Sequence, residues 1–159
     1  MGKIYPTAKI SERSTIDLGE DSFIGDFTLI TVPKLIVGEG SQINSGVKVV
    51  GREPCIIGRH VVVGYNVVLI TSSDTLAAKM DDASPETERK IVSGPIHLGD
   101  YSYIGSGSVV MPNVVVGKYA VVGALSYVPE GTVIPDCMVG WGQPFKPIKR
   151  RLRGLYVER

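Results

Sequence analysis

Few side chains in this sequence could move a proton near neutral pH. Histidine occurs twice, as His60 and His97. Imidazole is the side chain whose ordinary pKa suits general-base work. His60 lies in the turn-like segment Gly58-Arg59-His60, where a partly exposed turn residue is the plainer reading. His97 directly precedes Leu98 and enters a repeat unit. Two imidazoles cannot supply the three histidine ligands of a carbonic-anhydrase-type zinc site, so that chemistry is excluded and no metal is expected. Cys55 and Cys137 read as two separate thiols.

Two other stretches carry chemistry. Lys146-Pro147-Ile148-Lys149-Arg150-Arg151-Leu152-Arg153 holds five cations in eight residues. Cations hold phosphate by charge-assisted hydrogen bonds, and a merely solvated basic tail is the competing reading. The stretch from Ser72 to Ser93 contains Asp81, Asp82, Glu86, Glu88, Arg89 and Lys90. So long an insertion in a regular fold is usually functional. Each of its charges, taken singly, reads as solvent-facing.

The elements that position these residues follow a period of six. Aliphatic residues stand at Leu18, Ile24 and Ile30, at Val37, Ile43 and Val49, and at Ile57, Val63 and Leu69. They resume at Leu98, Ile104, Val110, Val116, Val122, Val128 and Ile134. A small or β-branched residue follows four positions later, as at Ser22, Val47, Ser108 and Ala120. Glycine often follows the first and second aliphatic of each group of three, but never the third. Three hexads therefore make one coil with one distinct side. The insertions Val32-Pro33-Lys34, Gly51 to Pro54 and Ser72 to Ser93 all fall on that side, so extra loops should project from one corner of a triangular prism. A β-sandwich would show period-2 alternation instead.

The expected fold is all-β: a left-handed parallel β-helix, its hand taken from the repeat family and opposite to the usual crossover rule. The chain of 159 residues reads as one domain. The β-helix is expected over residues 10–139, with the inserted loop at 72–93. A basic tail at 140–159 is expected to be helical. Net charge is +1, which gives no field for nucleic acid or a membrane surface. The start, MGKIYPTAKI, lacks the apolar run of a signal peptide. No stretch reaches the roughly 20 apolar residues of a membrane span. A soluble, cytoplasmic protein is expected.

The repeat resembles the hexapeptide-repeat acyltransferases. GPIHLGDYSYIGSGSVVMPNVVVGKYAVVGALSYV and GWGQPFKPIKRR look like the maltose and galactoside acetyltransferase branch and sugar acetyltransferases of surface-polysaccharide pathways. The resemblance implies a homotrimer with active sites between neighbouring prisms. It also implies acetyl-CoA as co-substrate, lying along the coils. Ser106 and Ala124 match positions lining the pantetheine arm. Lys146, Lys149 and Arg150 match residues that meet the coenzyme phosphates. Trp141, Gln143 and Phe145 depart from the family's smaller residues. Stacking on adenine and packing against the last coil are the two readings of Trp141 and Phe145, the second preferred.

Asn44 matches an active-site asparagine of the family. The family's general-base histidine falls here on Asp74, in Ser72-Ser73-Asp74. An ordinary aspartate, with a pKa of roughly 4, is poorly matched to deprotonating a hydroxyl, whereas an unprotonated amine attacks a thioester without that help. The substitution tilts the reading towards N-acetylation of an amino sugar, including a nucleotide-linked one. Sugar O-acetylation with Asp74 or His60 as base is the alternative. A catalytically inactive trimeric scaffold is the non-enzyme alternative. A nucleotidyltransferase is disfavoured because no α/β nucleotide-binding pattern precedes the repeat.

Overall fold

The computed structural model describes residues 1–74 and 91–151. Each hexad folds as a short strand and a tight corner. In Tyr103–Ile104, for example, the isoleucine is fully buried and the tyrosine faces out, as the two-residue alternation of a strand requires. Six-residue spacing brings every such aliphatic to the same interior.

Three parallel sheets enclose the core. Sheet A runs β1 (Lys3–Ile4), β4 (Phe23–Ile24), β7 (Gln42–Ile43), β10 (Val62–Val63), β15 (Tyr103–Ile104), β18 (Val121–Val122) and β21 (Met138–Trp141). Sheet B stacks β2 (Lys9–Ile10), β5 (Leu29–Ile30), β8 (Lys48–Val50), β11 (Val68–Ile70), β16 (Val109–Val110) and β19 (Tyr127–Val128). Sheet C stacks β3 (Thr15–Leu18), β6 (Lys34–Val37), β9 (Cys55–Ile57), β14 (Ile96–Leu98), β17 (Val115–Val116) and β20 (Val133–Ile134). The chain visits A, B and C in turn, forming a parallel β-helix with corners AB, BC and CA.

The helix begins at Lys3, not near residue 10. Ile4, Ile10 and Ile16 form an earlier group of three hexads, out of phase by two residues with the series from Leu18. Strand β3 absorbs the slip, because residues two apart on a strand share a face. Sheet C repeats the device with Leu35 and Val37, Cys55 and Ile57, and Ile96 and Leu98, all buried.

The corners use left-handed backbone at residues other than glycine, including His60 (φ 52°), Tyr101 (φ 60°), Tyr119 (φ 59°) and Leu125 (φ 57°). That conformation costs L-residues roughly 1–2 kcal/mol. A ladder of hydrogen bonds between rungs holds it: the amides of His60, Tyr101 and Tyr119 donate to the carbonyls of Glu39, Arg59 and Asp100 at 2.8, 2.8 and 2.9 Å.

The tail starts as a strand, not a helix. Strand β22 (Lys146–Arg150) pairs antiparallel with β21, with a register shift at Val139/Gly140. It covers the last open edge of sheet A, and its lysines blunt that edge against further pairing. The interior column Ile24, Ile43, Val63, Ile104, Val122 reaches Gly140 at the same place. A Cβ on Gly140 would lie 2.5 Å from the Phe145 ring, so Phe145 packs into the space an aliphatic would fill.

Candidate functional site

Corner AB carries Asn44, Ser106 and Ala124. Asn44 leaves β7, and the corner residues Gly64, Gly105, Gly123 and Trp141 stand above it on successive rungs. Asn44 is half-buried, and its Nδ2 donates to the Val63 carbonyl at 2.9 Å. Ser106 and Ala124 occupy the next corner position, on neighbouring rungs. The Ser106 hydroxyl accepts the Tyr65 amide at 3.0 Å, and its carbonyl accepts the Leu125 amide at 2.9 Å. Ala124 is exposed.

Corner BC carries all three insertions, as the repeat pattern requires. The longest leaves and returns as a hairpin, β12 (Ser72–Asp74) against β13 (Ile91–Ser93), with Asp74 opposite Ile91. Asp74 is exposed. Asp81, Asp82, Glu86, Glu88, Arg89 and Lys90 lie outside the described residues. The hairpin base is tied to the rungs on both sides. Below it, the Arg52 amide donates to Ser72 Oγ at 3.0 Å and the Glu53 amide to Thr71 Oγ1 at 3.1 Å. The Ser93 hydroxyl donates to Glu53 Oε1 at 2.9 Å. Above it, Asn113 Nδ2 donates to the Ser93 carbonyl at 3.1 Å. Glu53 went unnoticed in the sequence. Its signal was its place in the second insertion, one rung below the third.

Corner CA carries His60. Its ring stacks on Tyr101 (5.0 Å between centroids, 24° between planes), and Tyr101 stacks on Tyr119 (5.0 Å, 3°). Beside this column, Asp100 accepts the Arg59 amide at 2.9 Å and pairs with the Arg59 guanidinium at 3.5 Å. The hydrogen bond from the Arg59 amide holds the Asp100 carboxyl below its usual range; burial opposes it, and the charge and side-chain hydrogen bond of Arg59 and the charge of Lys118 add to the lowering. In the core of sheet C, burial pushes the Cys55 thiol up to about 12.

The basic strand crosses sheet A from corner AB back to corner CA. Lys146 lies opposite Trp141, Lys149 opposite Val139 and Arg150 opposite Met138, and all three cations are exposed. Arg151 is tied to corner CA, its amide donating to the Cys137 carbonyl at 2.7 Å. Arg153 lies outside the described residues.

Within one chain, then, Asn44, Asp74 and His60 stand on three different corners. Asn44, Ser106, Ala124 and Lys146 share one corner.

Residues 95–130 match the family model described as bacterial transferase hexapeptide (six repeats). Over that stretch the chain carries the hexapeptide repeat of these transferases. The chain is 27% identical over 160 residues to the dTDP-4-amino-4,6-dideoxy-D-glucose acyltransferase of Escherichia coli, covering 96% of this chain and 81% of that one. It is 28% identical over 115 residues to the galactoside O-acetyltransferase of Lactococcus lactis, covering 72% of this chain but only 52% of that relative's length. Among solved structures, AntD, an N-acyltransferase from Bacillus cereus in complex with dTDP and 3-hydroxybutyryl-CoA, superposes with a TM-score of 0.84. Identity there is 26%, and the match covers 96% of this chain and 83% of AntD. The solenoid of this hexapeptide-repeat chain is thus the left-handed β-helix of such acyltransferases. Among the described residues, no helix is long and apolar enough to cross a membrane.

Proposed function

We propose that this chain is an acyl-CoA-dependent acyltransferase acting on a nucleotide-linked amino sugar, with acetyl as the group moved. The observation that carries this is the alignment of Asn44, Ser106, Ala124 and Lys146 on corner AB. The rungs of sheet A from β7 to β22 stand one hydrogen-bonding spacing apart, about 24 Å in all at ~4.8 Å per step. That length suits a donor whose thioester lies near Asn44 and whose phosphates lie near Lys146. The Ser106 carbonyl already holds Leu125, so the amide N–H groups of Ser106 and Ala124 are offered to the pantetheine carbonyls. Lys146, Lys149 and Arg150 supply charge for the phosphates.

The acceptor amine attacks the thioester carbonyl. A carbon–nitrogen bond forms, the carbon–sulfur bond breaks, and coenzyme A leaves as thiolate, which takes a proton. The amine gives up its surplus proton to the Asp74 carboxylate, which is basic enough for an ammonium-like adduct though not for a free hydroxyl. Asn44 and Asp74 stand on different corners, so a complete site takes corner AB of one copy and the hairpin of a second, in a homotrimer. Support for the amine comes from the E. coli relative and from AntD, which has also been solved with an aspartate replaced by alanine or asparagine. The galactoside O-acetyltransferase keeps a sugar hydroxyl as the second reading, with Asp74 or His60 as base.

Thiol release from acetyl-CoA, measured from pH 6 to 9 with dTDP-linked amino sugars beside neutral sugars, tests this. Release with amino sugars alone is expected. Release with neutral sugars would establish O-acylation, and silence with no coenzyme A binding would leave a scaffold.

A further inference from the structure

The sequence holds one tryptophan, Trp141, and the structure gives it an unusual place. Six rungs of corner AB lead to it, from Tyr5 through Gly25, Asn44, Gly64 and Gly105, and the rung directly below presents Gly123, where a Cβ would lie 2.8 Å from the Trp141 Cβ. Any side chain at 123 would crowd the indole, so the glycine lets Trp141 sit flush on the corner. Phe145, three positions from the cis Gln143–Pro144 neighbourhood's start at Gly142, packs against the core instead. Trp141 remains 49% exposed. A large apolar ring left half in water at the end of a regular column is poorly explained by packing.

The neighbours add charge. Trp141 and Lys146 are a cross-strand pair, and residues directly opposite in an antiparallel pair stand on the same face. Val139 and Lys149 pair on the next outward position. One face of the last rung therefore presents an indole with two ammonium groups beside it. A purine ring with attached phosphates fits this combination: the indole takes the base by stacking and the lysines take the phosphates.

We propose that Trp141 is the stacking platform for the adenine of the acyl donor, with Lys146 and Lys149 holding the phosphates attached to its ribose. The inference rests on the acyl-CoA reading above and adds the residue that would recognise the nucleotide end. The basic strand β22 and the indole then act as one unit: the strand that closes sheet A also builds the donor's far subsite.

The single tryptophan makes the test direct. Emission of the wild-type chain is followed while adenosine 3′,5′-bisphosphate, coenzyme A or pantetheine is added, with calorimetry run in parallel. Quenching by the first two and none by pantetheine is expected. Trp141→Ala is expected to raise the KM for acetyl-CoA about tenfold and to leave the KM for acetyl-pantetheine unchanged. Trp141→Phe, which keeps a ring, should recover most of the loss and guards against a variant that fails to fold. Coenzyme A binding by calorimetry with no quenching, or equal KM changes for both donors, would overturn the platform while leaving the donor reading intact. Absence of any coenzyme A binding to the wild-type chain would overturn both.

Discussion

Glu53 accepts a 2.9 Å hydrogen bond from the hydroxyl of Ser93, 40 residues further along the chain. That bond fixes the returning arm of the hairpin whose outgoing arm ends at Asp74. It makes Glu53 a positioning residue for the corner where the acceptor chemistry is proposed. Glu53→Ala should lower kcat about tenfold, since small misplacement of a reacting group is costly, while coenzyme A affinity stays unchanged. Glu53→Gln keeps an acceptor for Ser93 and should restore kcat. Steady-state kinetics with amide exchange at Asp74 and Ile91 checks this. Unchanged exchange and kcat in Glu53→Ala would remove the role.

Asp100 ties two rungs of corner CA together. Its carboxyl is held below the usual range by the Arg59 amide first, and then by the charges of Arg59 and Lys118. A group whose folded pKa is depressed contributes stability above its unfolded value and loses it as pH falls through the folded one. Asp100→Asn should therefore cost about 1 kcal/mol at pH 7. The gap from wild type should close below the ordinary aspartate value of 3.8. Urea unfolding at both pH values measures it, and a gap that persists in acid would contradict the assignment.

Two buried serines in equivalent corner positions should respond in opposite ways. Ser102 Oγ is buried and has no hydrogen-bond partner among the described residues. Ser108 Oγ donates to the Gly123 carbonyl at 3.0 Å and accepts the Ser126 amide at 3.1 Å. Ser102→Ala removes an uncompensated polar atom and should raise stability by about 1 kcal/mol. Ser108→Ala strands a buried amide and should cost about 1–3 kcal/mol. Thermal unfolding of the two variants side by side gives the answer. Equal losses would show that Ser102 is satisfied.

The contrast between legible and illegible parts follows from range. The run Leu98, Ile104, Val110, Val116, Val122, Val128, Ile134 reads directly as a coil because each residue repeats one local rule, and all seven are buried. The BC insertions were legible for the same reason. The early coil at Ile4, Ile10 and Ile16 was hidden by a two-residue phase slip that only a longer strand can absorb. The tail's strand was hidden because it is set by an open sheet edge far away in sequence, and a basic stretch such as Lys146–Arg150 carries no period of its own. The separation of Asn44, Asp74 and His60 onto three corners follows from counting corners, which the slips and insertions obscure.

In the proposed site one copy supplies corner AB and another supplies the hairpin, an arrangement that subunit mixing can distinguish from a site within one chain. Asn44→Ala and Asp74→Asn are purified separately, each expected to be nearly inactive, then unfolded, mixed in equal amounts and refolded together. If the site lies between copies, about one cleft in four regains both native residues by random assembly, and turnover returns to about a quarter of wild type. If both residues serve a site within one chain, no mixed assembly contains an intact site, and the mixture stays as inactive as its parents. That result would overturn a site shared between copies.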